Sequence, residues 1–465
     1  MRKSQVPAGV AAGHPATAEA GIEILAEGGT AADAAVAASI ASCVAETVMT
    51  GIAGGGHAIW FDAARGEARL LDFFVTVPGL GRERRDVELL ELDVPFGAEL
   101  VHYAVGIASC AVPGVPAGLG ELWRREGRLP WRRVVEPAIR LARAGVLMPD
   151  AHAACLAMLA PVMTMREGVR IYSPGGRLLE AGERLDQPGL VATLETVAEE
   201  GARSFYEGTL AEALLALMDE RGGLVTRADL AAYDAVWGTP VAGDYAGVRI
   251  LTRRGLAPLL PVLTRLPPLS DASAAERTLA LVRALESPHA NGDTTNLTVV
   301  DSAGNACVVT TSLGLGSGDF LPGFDVHLNS MLGEADLVVG ALEPGARMES
   351  MMAPTVAVAE DRLVLAVGAA GGTRLRSAMA QVISSALDER IGVQEAVDRP
   401  RLHPAPPLVH AEPGIDDGAL AALGDEGYDV RRWPERHHYF GGVSAIGTSG
   451  PGADPRRGGS AVGLR

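Results

Sequence analysis

Apolar positions recur at three-to-four spacing through residues 17–46, 117–146 and 190–220, a pattern that predicts amphipathic helices in each stretch. The first stretch is Ala-rich and breaks at Gly28-Gly29, so it reads as two helices with Thr30 as N-cap of the second. A glycine-rich turn at 51–56 follows, and Ala58-Ile59-Trp60-Phe61 reads as a strand. After residue 293 the pattern shortens to β-rich runs. Those at 294–300 and 306–312 predict a hairpin around Asp301-Ser302-Ala303-Gly304-Asn305, those at 356–359 and 363–368 a second, and 441–464 a third that turns at Asp454-Pro455-Arg456-Arg457. Gly371-Gly372 opens a helix reaching about Leu387. Between the two halves, Pro258, Pro261, Pro267 and Pro268 precede one predicted helix at 271–286 and a polar loop at 287–293, which marks the strongest boundary in the chain. The fold class is therefore mixed α/β, with no internal repeat.

Composition sharpens this picture. Of 465 residues, 48% are hydrophobic but only 4% aromatic, with 57 Gly and 29 Pro, so the interior must be close-packed Ala, Val and Leu with many tight turns. A formal net charge of -17 argues against nucleic acid as a partner, because phosphate binding needs clustered cations. Cys43, Cys110, Cys155 and Cys307 stand singly, without the paired spacing of metal or redox sites, and read as small buried hydrophobes. Residues 1–7 lack the apolar run of a secretory signal and no segment offers about 18 uninterrupted apolar residues, so no membrane association is expected. The chain as given reads as cytoplasmic, or as secreted or periplasmic where a signal has been removed.

Common catalytic signatures are absent: no Walker lysine, no G-x-S-x-G elbow, no G-x-G-x-x-G after a strand and no H-E-x-x-H. The histidines are scattered, His437-His438 being the only adjacent pair, and neither a metal nor a cofactor is expected. What remains is Gly292-Asp293-Thr294-Thr295-Asn296-Leu297-Thr298-Val299-Val300, where a hydroxyl stands at the entrance of a buried strand. Taken alone, Thr294 is an ordinary strand residue.

Its surroundings change that reading. Ordered motifs run along nearly the whole chain: His14-Pro15, Gly28-Gly29-Thr30-Ala31-Ala32-Asp33-Ala34-Ala35-Val36-Ala37, Gly54-Gly55-Gly56, Val112-Pro113-Gly114-Val115-Pro116-Ala117-Gly118 and Gly127-Arg128-Leu129-Pro130-Trp131. Phe205-Tyr206-Glu207-Gly208 and Asp229-Leu230-Ala231-Ala232-Tyr233 follow, then Asn329, Ala353-Pro354-Thr355, Gly371-Gly372 and Arg399-Pro400-Arg401-Leu402-His403. In these the chain resembles the γ-glutamyltransferase (γ-glutamyl transpeptidase) family.

The resemblance implies a four-layer αββα N-terminal-nucleophile hydrolase fold. It implies a precursor that cuts its own Asp293-Thr294 bond into a large subunit, 1–293, and a small one, 294–465, which stay intertwined as partners. Thr294 would then be the nucleophile, and its freed α-amine, titrating near about 7.7 to 8.0, the general base. The oxyanion hole maps onto Gly371 and Gly372, although a Gly-Gly pair also reads simply as a tight corner. Ser312 falls where the family has a hydroxyl bonded to the nucleophile, Ser350 at the first of two pocket serines, and Thr295 at a threonine beside the nucleophile. The substrate would be a small amide or peptide, as in glutathione metabolism; homodimerisation stays open.

Departures from the pattern bear on substrate. Phe74 stands where an arginine grips the substrate carboxylate, Met351 replaces the second pocket serine, an expected asparagine appears as Gly314, and the acidic partner of the substrate amine falls at Gly333. Residues 253–263 replace a Pro-Pro-Ser-Ser-Gly-Gly turn. Three readings follow: a γ-glutamyltransferase-like hydrolase or transferase with weak glutathione turnover, an acylase for glutaryl or apolar acyl amides, or a catalytically silent homologue serving as a binding protein.

Overall fold

The computed structural model describes residues 6–83, 87, 89–96, 99–286, 294–372 and 374–464. Near the N-terminus, helix Pro15–Ala26 is followed by helix Ala31–Ala45. The second begins in a capping box: Asp33 N donates to Thr30 Oγ1 at 3.1 Å and Thr30 N to Asp33 Oδ2 at 2.9 Å, so two otherwise orphaned amides are satisfied reciprocally. All its residues are buried. Small side chains on every face let this helix lie between a sheet and other helices, the role expected of a helix without a polar stripe.

Two antiparallel sheets form the centre. The first has seven strands in the order Ser460–Gly463, Gly9–Ala12, Thr295–Val300, Ala306–Ser312, Gly55–Asp62, Glu67–Phe73 and Val236–Gly238. The second has six: Gly450–Ala453, Gly442–Gly447, Arg362–Ala370, Thr355–Ala359, Val248–Thr252 and Val241–Tyr245. Because side chains alternate along a strand, each sheet divides its residues between two cores. Ala11, Val300, Val308 and Phe61 of the first sheet meet Val356, Ala366 and Ile446 of the second. Their neighbours Val10, Val299, Cys307 and Trp60 pack outward on helix Ala31–Ala45, while Leu365, Val367 and Ala445 pack outward on helix Arg374–Leu387. Helix, sheet, sheet, helix is thus the layer order. The four cysteines are buried free thiols, and no helix among the described residues is long and apolar enough to cross a membrane.

The two expected hairpins form, as strands Thr295–Val300 with Ala306–Ser312 and Thr355–Ala359 with Arg362–Ala370, pairing Val300 with Ala306 and Ala359 with Arg362. The 117–146 stretch holds helices Val115–Glu126 and Trp131–Ala144, parted at Gly127 and Pro130, and 190–220 holds Pro188–Glu200, Ser204–Glu207 and Thr209–Arg221, parted at Gly201 and Gly208. Three expectations are corrected. Gly55 and Gly56 belong to a strand, paired with Ser312 and Thr311, rather than to a turn. The proline-rich stretch is no domain boundary: helices Leu260–Arg265 and Ala274–Leu285 place Val262, Leu263, Leu281 and Leu285 in the second sheet's outer core. Finally, 441–464 is not one hairpin. Gly442–Gly447 pairs with Gly450–Ala453, and Asp454-Pro455-Arg456-Arg457 then carries the chain from the second sheet to the first, where Ser460–Gly463 pairs with Gly9–Ala12.

That crossing is held by buried charge. Asp454 accepts from Arg401 Nη2 at 2.5 Å, from Arg456 Nη1 at 3.1 Å and from Val443 N at 3.0 Å, and Arg456 also donates to Glu412. Removing one partner of such a cluster leaves uncompensated buried charge. Asp454→Ala is expected to cost about 3–5 kcal/mol, read by scanning calorimetry as a thermal midpoint several degrees lower; an unchanged midpoint would show that the guanidinium groups find other partners.

Candidate active site

Thr294 immediately precedes the strand Thr295–Val300 at the centre of the first sheet and is buried. Facing it, strand Arg362–Ala370 of the second sheet ends at Gly371-Gly372, just ahead of helix Arg374–Leu387. The amide of Gly371 donates to Thr294 Oγ1 at 2.7 Å. Gly371 has φ 122° and a side chain there would begin 2.8 Å from Gly441 Cα, so only glycine brings this amide so close. The hydroxyl therefore lies at the positive end of a helix, where partial charge favours an anion. A hydroxyl so placed, with amide donors beside it, has the parts needed to add to a carbonyl and to stabilise the oxyanion that forms.

In front of Thr294 is a small pocket lined by Phe74, Ser312, Met331, Glu334, Leu337, Ser350, Met351, Met352 and Gly372. Six residues singled out in the sequence thus meet here: Thr294, Phe74, Ser312, Ser350, Met351 and Gly372. The hydroxyls are tied to turns: Ser312 Oγ accepts from Gly314 N at 3.0 Å and Ser350 Oγ from Met352 N at 3.0 Å. Phe74 stacks on His57 at 5.5 Å, and burial with the nearby Arg253 and Arg347 holds that imidazole's pKa far below its usual value. The carbonyl of Phe74 accepts from Tyr233 OH and Arg347 Nη1, and that of Ser350 from Arg253 Nη1.

Two expectations change. Thr295, expected beside the substrate, does not line this pocket: strand alternation turns it to the opposite side, where its hydroxyl donates to Glu46 Oε2. The sequence left the family's acidic position on Gly333, but the pocket does hold a carboxyl, that of Glu334 one residue further on. A side chain at 333 would collide with Ala104 O, whereas Glu334 is buried against the pocket, and Gly314 leaves room for its carboxylate. Asp293, the other side of the expected cleavage bond, lies outside the described residues.

Glu46 and Arg457 were not singled out in the sequence. Glu46 Oε1 also accepts from Thr17 Oγ1 at 2.7 Å; burial pushes its carboxyl up to about 7, opposed by both threonine hydroxyls and by Arg457. Arg457 Nη1 donates to Thr294 O at 3.3 Å. A charged residue closing an otherwise Ala-rich helix was the available signal for Glu46.

The family model described as Gamma-glutamyltranspeptidase matches residues 17–258 and 265–464. The chain is 30% identical to the Acylase ACY 1 proenzyme of Pseudomonas sp. (strain V22), over 94% of this chain and 89% of that protein. It is 28% identical to the glutathione hydrolase proenzyme of Escherichia coli (strain K12), over 91% and 86%. Its structure is similar to that of cephalosporin acylase from Bacillus halodurans, with TM-score 0.81 and 24% identity over 98% of this chain and 96% of that one. The four-layer N-terminal-nucleophile hydrolase fold expected from the sequence is the fold observed.

Gly371→Ala would force a side chain against Gly441 and move the amide from Thr294 Oγ1. Loss of one such donor costs about 10²–10³ in kcat. A steady-state assay of the variant should show a fall of that size, and parent-like kcat would remove Gly371 from the site.

Proposed function

This chain belongs to the gamma-glutamyltranspeptidase family, and we propose that it is a self-processing threonine-nucleophile amidohydrolase whose preferred acyl group is apolar. The observation that carries the first part is the 2.7 Å hydrogen bond from Gly371 N to Thr294 Oγ1, at the mouth of a pocket and at the start of a strand. In the precursor, Thr294 Oγ adds to the carbonyl of residue 293, the C–N bond breaks as its nitrogen is protonated, and water hydrolyses the resulting ester. The product has Thr294 as a chain end, dividing 1–293 from 294–465.

The freed amine then serves as base. It takes the Thr294 hydroxyl proton as Oγ attacks the substrate amide, the Gly371 and Gly372 amides meet the oxyanion, and the proton passes to the departing amine. Ser312 beside the hydroxyl completes the polar side of the pocket. Water or an acceptor amine releases the acyl group from the threonine ester. The product of that step decides between hydrolysis and transfer.

The acyl preference follows from the rest of the lining. Phe74, Met331, Leu337, Met351 and Met352 offer apolar surface, and Glu334 adds a carboxyl. Arg347 and Arg253, which bind the Phe74 and Ser350 carbonyls, also pair with Asp72 and Glu349. A carboxylate on the acyl group would lose water without gaining a bidentate cation, a cost of several kcal/mol. That disfavours γ-glutamyl and glutaryl donors alike and favours the acylase reading.

Two measurements test these parts separately. On a denaturing gel with N-terminal sequencing, the parent should give a fragment beginning Thr294-Thr295-Asn296 and Thr294→Ala a single intact chain; an intact parent band would favour the silent homologue. In a donor panel, an apolar acyl anilide should exceed the γ-glutamyl anilide in kcat/KM at least about tenfold, the discrimination expected from 1.4 kcal/mol or more. Strong cleavage of the γ-glutamyl donor would overturn the apolar assignment.

A further inference from the structure

Behind Thr294, on the side away from the acyl pocket, lies a second chamber with room for about one water-sized group. Thr294, Thr295, Glu46, His152 and Arg457 border it. Glu46 is 1% exposed and stands as the C-cap of helix Ala31–Ala45. Both features disfavour a carboxylate, since burial removes water and the helix C-terminus carries negative partial charge. Stability alone would place an apolar or amide side chain here. The site is nonetheless built for Glu46: Thr17 and Thr295 each donate a hydroxyl to one of its oxygens, and Gly13 yields the space that its Oε2 occupies.

Arg457 supplies the opposite charge. Its Nη1 lies 3.3 Å from Thr294 O, and its Nη2 lies 3.2 Å from where a side chain on Gly371 would begin. The nitrogen of Thr294, about 3 Å from its own carbonyl oxygen by covalent geometry, is therefore within about 7 Å of the guanidinium. It is one residue from the hydroxyl bound to Glu46.

We propose that Glu46 and Arg457 are positioning residues that act through Thr295 and the Thr294 carbonyl to hold the new chain end and set opposing charges beside its amine. The inference rests on the reading of Thr294 as nucleophile. Other groups facing the pair are neutral or already engaged. Burial pushes the Cys43 thiol up to about 12 and His152 down to about 3, and it lowers His14 and His438 as well. Asp454 is ionised but bound to Arg401 and Arg456. Arg374 is buried and donates to the Tyr439 carbonyl.

The sign of each effect is fixed. Ionised Glu46 favours the ammonium form of the amine and raises its pKa, while Arg457 favours the neutral form and lowers it. Only the neutral amine accepts a proton, so activity rises as pH passes through that pKa. Burial pushes the Glu46 carboxyl up to about 7, so it and a free α-amine near about 7.7 to 8.0 would change charge over the same pH range.

The test is the pH dependence of kcat in the cleaved enzyme. Glu46→Gln keeps the shape and removes the charge; Arg457 then acts unopposed and the acid limb should move down by about one unit. Arg457→Met should move it up by a similar amount, and Glu46→Asp should restore the parent limb. Loss of packing alone cannot displace the limb in opposite directions. A limb unmoved in both variants, or moved the same way in both, overturns the inference; if one variant fails to accumulate, the other still decides it by direction. Thr294→Ala with parent-like turnover would instead remove the reading beneath it, leaving these outcomes distinguishable.

Discussion

One hydrogen bond ties the two sheets together where chemistry is expected. Thr294 immediately precedes strand Thr295–Val300 of the first sheet and Gly371 immediately follows strand Arg362–Ala370 of the second, 77 residues away in sequence, yet the amide and hydroxyl meet at 2.7 Å. This distance depends on how closely the sheets pack. Ala11, Ala306 and Ala366 populate the interface between them, and larger side chains there would separate the layers and open the contact. The same alternation that faces Ala and Val inward sends Thr294 toward one pocket and Thr295 toward another. Acyl pocket and rear chamber are thus consequences of one register.

The two pockets differ in what they ask of a ligand. The front one is predominantly apolar with a single carboxyl, and its neighbouring arginines are committed to carbonyls and to Asp72 and Glu349. Substrate discrimination would come from refusing an unpaired carboxylate as much as from accommodating a chain. The rear one is of similar size but is bordered by the charged side chains of Glu46 and Arg457, which reach the start of the strand through the Thr295 hydroxyl and the Thr294 carbonyl. On the proposed reading, this separation would let acyl specificity diverge while the support behind Thr294 is kept.

Many of the helices and hairpins were legible in the sequence because their signals are local, whereas the four-layer arrangement was expected from the family resemblance. The Thr30–Asp33 capping box, the apolar runs on either side of Asp301–Asn305 and the glycines before the 374–387 helix each announce themselves within a few residues. Failures came where geometry beyond the neighbourhood decides. Asp454-Pro455 has strong turn chemistry, and it does form a turn, but the strands it joins lie in different sheets. Gly333 ends one short 3₁₀ turn and Glu334 links it to the next, so which of the two faces the pocket depends on the close approach of Ala104. Thr295 was expected near the substrate from the family resemblance, although neighbours on a strand face opposite ways. Glu46 carried almost no signal, since a charge closing a helix usually meets solvent.

The most direct test of Thr294 as nucleophile is to trap its acyl ester. The processed enzyme would be mixed with excess of a slow apolar acyl amide, quenched in acid and analysed by intact and peptide mass spectrometry. The 294–465 fragment should gain the mass of the acyl group on its N-terminal peptide and lose it in alkaline hydroxylamine. Turnover with no adduct, under conditions where acylation outpaces release, or an adduct on a different residue, would contradict the assignment.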